Sequence, residues 1–548
     1  MLANNRNITL LALFATLLPM IAISHENTIN KTPHNIINST CSSTLYPDLC
    51  ISSLTASSPS PKSNITTVMG VVMAALNHTI ATIKLNKITI KKITLKKSLT
   101  VREKIALKDC LETADDSLDE LKRVELKLQN YPSKNYSPDD VLILLSAAMT
   151  NQETCIDGFS HDKGDRKIRS FFLNEQLHTF RLCSNVLAMI KNMSNANVDK
   201  IGGKNYSNNN NNAGHEWPKW LSGGDRKLLQ ATTVTPDTIV AADGTGNYMT
   251  VAAAVAAAPS GSSRRYIIRI KAGTYRENVE VPRGKSNIMF MGDGRTSTII
   301  TGSRNVVDGS TTFNSATVAI IGDRFLARDI TFQNTAGPSK HQAVALRVNA
   351  DFAAFYRCDM IAYQDTLYVH SLRQFYVSCY VAGTVDFIFG NAAVVLQNCD
   401  IHARRPNPGQ RNMVTAQGRD DPNENTGIVI QKCRIGATSD LRGQESAFPT
   451  YLGRPWKRYS RTVIMQSEIS NVINPAGWYE WSGTYALATL FYAEYSNTGA
   501  GAGTANRVKW GGYRVITSAT GAQPFTAENF ISGGNWLAST GFPFSLGL

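Results

Sequence analysis

Residues 363–391 read YQDTLYVHSLRQFYVSCYVAGTVDFIFGN, and the echoes of this stretch in its neighbours decide the fold. Two carboxylates, Asp365 and Asp386, stand 21 residues apart in apolar, aromatic surroundings from which charge is normally excluded. A short segment centred on cysteine recurs around them: FYRCDM from 355, YVSCYV from 376, LQNCDI from 396 and IQKCRI from 430. Cys358, Cys379 and Cys399 are 21 and 20 residues apart. A period in the twenties, carrying β-branched and aromatic runs punctuated by Gly, Asn and Asp, predicts a solenoid, here a parallel β-helix. Residues one period apart then stack on neighbouring strands about 4.8 Å apart. Asp365 and Asp386 share one patch, with Gln342 near the preceding turn. The same spacing brings Cys379 and Cys399 within the roughly 4.4–6.8 Å Cα separation of a disulfide, and a bridge between them is expected. A β-sandwich is the competing architecture, but its strands would alternate hydrophobic and polar residues at hairpin spacing.

Working outward, 548 residues exceed what one core supports, so two or more domains are expected. Residues 231–548 hold the short strands. Residues 35–195 read as helices instead. Leu111, Ala114, Leu118, Leu121, Val124 and Leu128 recur at helical spacing. Ser137-Pro138-Asp139-Asp140 combines an N-cap, a first-turn proline and two acids. Phe172, Gln176, Phe180, Cys183, Leu187 and Ile190 mark another helix. With a segment near 66–85, these predict an all-α four-helix bundle. Cys41 and Cys50 can close a local loop, and Cys110 and Cys155 are expected to join two helices. Between the halves, residues 196–230 carry an asparagine run at 208–212 and end in Arg226-Lys227-Leu228-Leu229. The run reads as a linker and the dibasic pair as a processing site.

The apolar run from Ile8 to Ile23 is short for a membrane span and suits a secretory signal, placed at residues 1–25; a retained signal anchor is the alternative. Sequons stand at Asn7, Asn30, Asn38, Asn64, Asn77, Asn135, Asn192 and Asn205, with none later. Nine cysteines fit an oxidising compartment with several disulfides and one leftover thiol, Cys183, although Cys358 and Cys433 could also stay unpaired. The net charge of +14 suits an acidic extracellular partner. Nucleic acid is not indicated, since no clustered basic stripe or binding motif occurs.

No G-x-S-x-G elbow, H-E-x-x-H or C-x-x-C occurs, which removes the commonest hydrolase and zinc readings. His341, His370 and His402 are scattered through the strand-rich half and read as surface or core residues. The aspartates remain. AGTYRENV at 272, QAVALR at 342, YQDTLY at 363, DFIFGN at 386 and LGRPW at 452 together resemble plant pectin methylesterases, over about residues 235–545. KDCLETADDSLDEL, TNQETCIDGF and the early cysteine spacing resemble the pectin methylesterase inhibitor family.

The resemblance implies a right-handed parallel β-helix and an esterase acting on methyl-esterified homogalacturonan in the plant cell wall, without metal or cofactor. It implies Asp386 as nucleophile, Asp365 as proton donor and base, and Gln342 and Gln364 as oxyanion donors. It gives Arg454 as the group that keeps Asp386 charged, and Thr312, Gln342, Arg454 and Trp456 as substrate contacts. Trp478 and Trp481 are weaker candidates, equally readable as packing residues. A protease acting at Arg226–Leu229 and separate inhibitor proteins are the further partners implied. Two rivals stand beside this reading. A glycoside hydrolase also pairs carboxylates on a β-helix but needs no oxyanion amides. A wall-binding or inhibitory protein would have no use for an intact catalytic set.

Overall fold

The computed structural model describes residues 33–56, 65–131, 137–159, 166–200 and 235–548. The apolar run at 8–23, the asparagine run and Arg226–Leu229 lie outside the described residues.

Helix starts in the front half follow local chemistry. Thr100 accepts from the Glu103 N–H at 3.1 Å while the Glu103 carboxylate accepts from the Thr100 N–H at 2.7 Å, a reciprocal capping box. Ser137 caps the helix that Pro138 begins. The helices are α1 (Pro33–Cys41), α2 (Pro47–Ala56), α3 (Val68–Thr94), α4 (Val101–Gln129), α5 (Pro138–Asp157) and α6 (Arg166–Lys200). α3 to α6 make the four-helix bundle. α3 runs well past the expected 85 because Ile90 and Ile93 find burial against Leu99, Leu107 and Phe159. Cys41–Cys50 ties α1 to α2, and Cys110–Cys155 ties α4 to α5.

The second half winds as a parallel β-helix of three sheets, with 11, 7 and 8 strands. One coil shows the plan: 353–356 lies in the 11-stranded sheet, 359–361 in the 8-stranded sheet and 367–369 in the 7-stranded sheet. The next coil, 373–377, 380–383 and 388–390, repeats it in register, with Ala353 opposite Gln374 and Leu367 opposite Ile388. Inward side chains stack into ladders; the Phe355 and Tyr376 rings lie 4.7 Å apart and 5° from parallel. Outward apolar residues of the long sheet, among them Phe375, Val395, Val429 and Val463, are covered by the C-terminal segment through Phe525, Trp536, Leu537 and Phe542.

The recurring cysteines belong to a sharp corner between two of the sheets. Arg357, Ser378, Asn398 and Lys432 each take a left-handed φ, 51–55°, and the residue after each points inward: Cys358, Cys379, Cys399, Cys433. The expected Cys379–Cys399 disulfide is not formed, and both thiols are free, as are Cys183, Cys358 and Cys433. In-register stacking explains the correction. Equivalent side chains on successive coils point the same way rather than toward each other, while a disulfide needs its two Cβ atoms to converge. The sulfurs have another task here. Cys399 Sγ accepts the Cys379 N–H at 3.4 Å and Cys433 Sγ accepts the Cys399 N–H at 3.3 Å, which supplies buried corner amides with acceptors. Burial pushes the Cys358, Cys379 and Cys399 thiols well above their usual range and Cys183 up to about 12.

Alkylation of the native protein without reductant should therefore label none of these five thiols. Denaturant should expose all five by intact mass while two disulfides persist; a third disulfide in that measurement would contradict the corner ladder.

Candidate functional site

The 7-stranded sheet carries the candidate site on its outer face. The strands Leu346–Val348, Leu367–Val369 and Ile388–Gly390 lie side by side in register, and the polar residues sit just before them. Asp365 and Asp386 each precede their strand by two residues, each in a left-handed backbone conformation with φ of 63° and 52°. Aspartate tolerates that region better than most residues. Both are nearly buried, 7 % and 6 % exposed, so their charges are settled by neighbours rather than by water.

Arg454 provides the deciding neighbour for Asp386. Its Nε donates to Oδ1 at 2.8 Å and its Nη2 to Oδ2 at 2.6 Å, a two-pronged geometry that favours the ionised carboxylate. The guanidinium also lies over the Trp481 ring at 4.3 Å. Asp365 lacks such a partner. Burial, and then the charge of Asp386, push its carboxyl well above the usual range, while Arg454 pulls weakly the other way. The two neighbouring carboxyls are thus unlike: Asp386 is gripped by a guanidinium, and Asp365 is able to hold a proton.

A cavity of about 330 Å³ opens over the pair. Of the residues expected at the site, Thr312, Gln342, Gln364, Asp365, Asp386, Arg454, Trp456 and Trp481 line it. Trp478 does not. It is 1 % exposed, stacked on Tyr492 at 4.2 Å and hydrogen-bonded to Glu494, so it packs the solenoid core. The floor is completed by Tyr368, Phe389 and Ala416, outward residues of the same sheet, and by Phe313 from a short 3-10 turn, Phe313–Ser315. Tyr368 and Phe389 stack at 4.2 Å and offer an apolar face suited to a sugar ring. The sequence marks Tyr368 and Phe389 by their one-period spacing, yet an aromatic in a strand more often packs inward.

The remaining wall comes from the helical half. Thr154, Asp157 and Gly158, at the end of α5, line the same cavity. Thr154 Oγ1 meets the buried His370 Nε2 at 2.8 Å. Around this contact α4 and α5 present acids to the β-helix. Asp116 meets Arg283 at 2.7 Å, Glu112 meets Arg347 at 3.1 Å, Asp140 meets Arg373 at 2.6 Å and Glu153 meets Lys457 at 3.1 Å. The Asp109 carboxylate accepts from Thr311. Among the described residues no group of three or more His, Cys, Asp or Glu side chains is placed to hold a metal ion.

Comparison with known proteins matches the two halves to separate family models. Residues 237–535 match the pectinesterase model, and residues 35–189 match that for plant invertase/pectin methylesterase inhibitor. The chain is 62 % identical to pectinesterase 1 of Citrus sinensis over 95 % of its own length and 90 % of the relative's. It is 59 % identical to pectinesterase/pectinesterase inhibitor 3 of Arabidopsis thaliana, over 99 % and 97 %. The solved pectin methylesterase from carrot is 72 % identical, with a TM-score of 0.58 over 58 % of this chain and all of that one. That relative's chain thus corresponds to the β-helical half alone.

Replacing Arg454 with alanine should strand a buried Asp386 charge beside Asp365 and destabilise the fold by about 3 kcal/mol. Adding Asp386→Asn to that variant should recover most of the loss in denaturant unfolding. Simple additivity of the two changes would show that the ion pair does not matter to the fold.

Proposed function

We propose that Asp386 is the nucleophile and Asp365 the acid and base of a pectin methylesterase, for the chain belongs to the pectinesterase family and carries an inhibitor-type helical domain ahead of its esterase half. The observation that carries the assignment is the asymmetry of the carboxyl pair: Asp386 clamped by Arg454, Asp365 pushed toward its protonated form by burial. One is fit to attack and the other to give a proton.

Hydrolysis proceeds through an acyl-enzyme in two halves. The Asp386 carboxylate adds to the carbonyl carbon of a galacturonate methyl ester, and the carbonyl oxygen becomes an oxyanion that the Gln342 and Gln364 amides stabilise, each worth about 3 kcal/mol in comparable sites. The intermediate collapses, the C–O bond to the methoxy group breaks and Asp365 protonates the departing oxygen, giving methanol and an acyl-enzyme. Asp365, now a carboxylate, takes a proton from water, and the hydroxide adds to the acyl carbon. Breakdown frees the galacturonic acid and returns Asp386 as a carboxylate and Asp365 protonated; the product acid then gives its proton to solvent and leaves as galacturonate. Thr312, Trp456 and the aromatic floor hold the sugar chain, and no cofactor takes part in these steps.

The helical half acts as an autoinhibitory or chaperone pro-region; as a cover, the end of α5 closes the cavity and the α4–α5 acids hold it down. Release follows cleavage at Arg226–Leu229 by a protease of the secretory route, after removal of a leader at residues 1–25. The enzyme then works in the cell wall, where separate inhibitor proteins can bind the same face. The units are the helical domain at 35–195, the linker at 196–230 and the esterase at 231–548.

Residues 231–548 should release methanol from highly methylated pectin without new reducing ends. Asp386→Asn and Asp365→Asn should each lower kcat by about 10³-fold or more. New reducing ends in the same tubes would mean a glycosidase.

The cover should also respond to pH with a definite sign. Burial pushes Asp109 up to about 7 and Glu153 well above its ordinary range in the docked state, and Asp116 is raised as well. Docking then takes up protons that the separated half releases above the ordinary carboxylate range. His370, held neutral by burial, opposes this only below its ordinary value near 6.5, one imidazole against several carboxyls. Affinity of the helical half for residues 231–548 should therefore fall as pH rises from about 6 to 8, with inhibition weakening in parallel. Affinity that increases over that range would refute the docked geometry as the inhibited state.

A further inference from the structure

α3 has a second face, turned away from both the bundle and the catalytic cavity. Ile83, Ile90 and Ile93 are buried on the inner side of the helix. On the outside, Lys84, Leu85, Ile88, Lys91, Lys92 and Leu95 recur at three- and four-residue spacing, and all six are exposed. The turn into α4 continues the pattern with Lys96, Lys97, Val101 and Lys104, exposed as well. Residues 84–108 hold eight lysines and one arginine against the single acid Glu103, a net charge of +8 within a chain of +14. Glu103 is buried in its capping box, Lys87 pairs with Asp115, and Arg102 donates to the Val306 carbonyl of the esterase half. Lys84, Lys91, Lys92, Lys96, Lys97 and Lys104 have no ion-pair partner among the described residues.

The apolar members of this face stand equally far out. Leu85 is 65 % exposed, Ile88 50 %, Leu95 81 % and Val101 73 %. Single aliphatic side chains on a surface need no explanation, but four around one helical hairpin, set among unpaired lysines, make a basic amphipathic surface. The expectation that no clustered basic stripe occurs is corrected here. At most two lysines adjoin in the sequence, with Ile, Leu and Thr between the pairs, and it is the helix that gathers them on one side.

We propose that the α3–α4 hairpin is a docking surface for a membrane that carries acidic phospholipids. The lysine ammonium groups meet the acidic head groups, while their methylene stems and Leu85, Ile88, Leu95 and Val101 settle into the interface beneath them. The aliphatic side chains favour a membrane over an acidic polysaccharide. A sugar chain would match the charges and leave these four side chains uncovered, and residues 84–108 contain no aromatic ring on which a sugar could stack. Asn77, an exposed sequon residue at matching helical spacing, bounds the surface about 10 Å from Lys84 toward the helix start. The surface lies wholly on the helical half, so the uncleaved chain carries it and residues 231–548 do not. On the reading that cleavage parts the halves, membrane contact belongs to the precursor and the freed esterase lacks it.

The test uses the precursor secreted by a host cell, shown by intact mass to have lost its leader and to be uncut at Arg226–Leu229, with its glycans trimmed. It is sedimented with vesicles of phosphatidylcholine alone and of phosphatidylcholine containing phosphatidylserine at about 30 %. The precursor should bind the acidic vesicles at least about tenfold more tightly than the neutral ones. Lys91→Gln, Lys92→Gln, Lys96→Gln and Lys97→Gln combined should weaken that binding about a hundredfold, since each lysine beside an acidic surface contributes roughly fivefold. Leu85→Ser, Ile88→Ser and Leu95→Ser combined should also weaken it, and the remainder should wash off at lower salt than the wild type. All seven residues are exposed, so both variants should unfold at the wild-type denaturant concentration. Equal binding to neutral vesicles, no binding to either, binding as tight by residues 231–548, or a lysine variant that binds like the wild type overturns the proposal. So does retention on polygalacturonate that depends on the lysines alone, without vesicle binding, which would make the hairpin a site for an acidic polysaccharide.

Discussion

In-register parallel stacking is the constraint on which the rest depends. Because each coil lies directly on the last, a residue type repeated at the coil period becomes a ladder, and a ladder inside the solenoid must be self-compatible. Flat rings meet this condition, as with Phe355 and Tyr376. So do the corner thiols, where Cys399 accepts the N–H of Cys379 and Cys433 that of Cys399, each one coil before. Charges do not, which makes two carboxyls one coil apart an expensive arrangement unless a cation separates their fates. The bidentate Arg454 does so for Asp386 and leaves Asp365 to burial.

The asymmetry has a structural origin as well as an electrical one. Asp365 and Asp386 occupy equivalent positions before strands that pair Leu367 with Ile388, so stacking alone would make their environments alike. The difference comes from Arg454, 68 residues beyond Asp386, which enters from a later coil. A solenoid can therefore place two identical groups by repetition and distinguish them with one non-repeating residue. The strained left-handed backbone at both aspartates is the cost of presenting them outward at a turn, and the neighbouring strands hold it in place.

The solenoid, its period and the carboxyl pair were legible in the sequence because each is a local or periodic signal. Ser137-Pro138 and the amphipathic stripe from Leu111 to Leu128 marked helices for the same reason. What stayed hidden depends on direction rather than distance. Cys379 and Cys399 are close enough for a bridge by period, yet their parallel side chains forbid one. Trp478 and Trp481, three residues apart, look alike in sequence, and only the coil path sends one into the core and the other over Arg454. The face shared by the two halves was hidden too, although Asp109, Glu112, Asp116 and Glu120 recur at helical spacing within KDCLETADDSLDEL. An acidic stripe on a helix usually faces water, and nothing local says that Arg283 and Arg347 lie opposite.

On the proposed reading of the helical half as a removable cover, that interface bears on how the cover can be specific and still come away. Its contacts include ion pairs and hydrogen bonds, Glu112 with Arg347, Asp116 with Arg283, Glu153 with Lys457 and Thr154 with His370, beside apolar residues of both halves that share one buried cluster. Desolvation consumes much of what such pairs gain, so they fix register more than they add affinity.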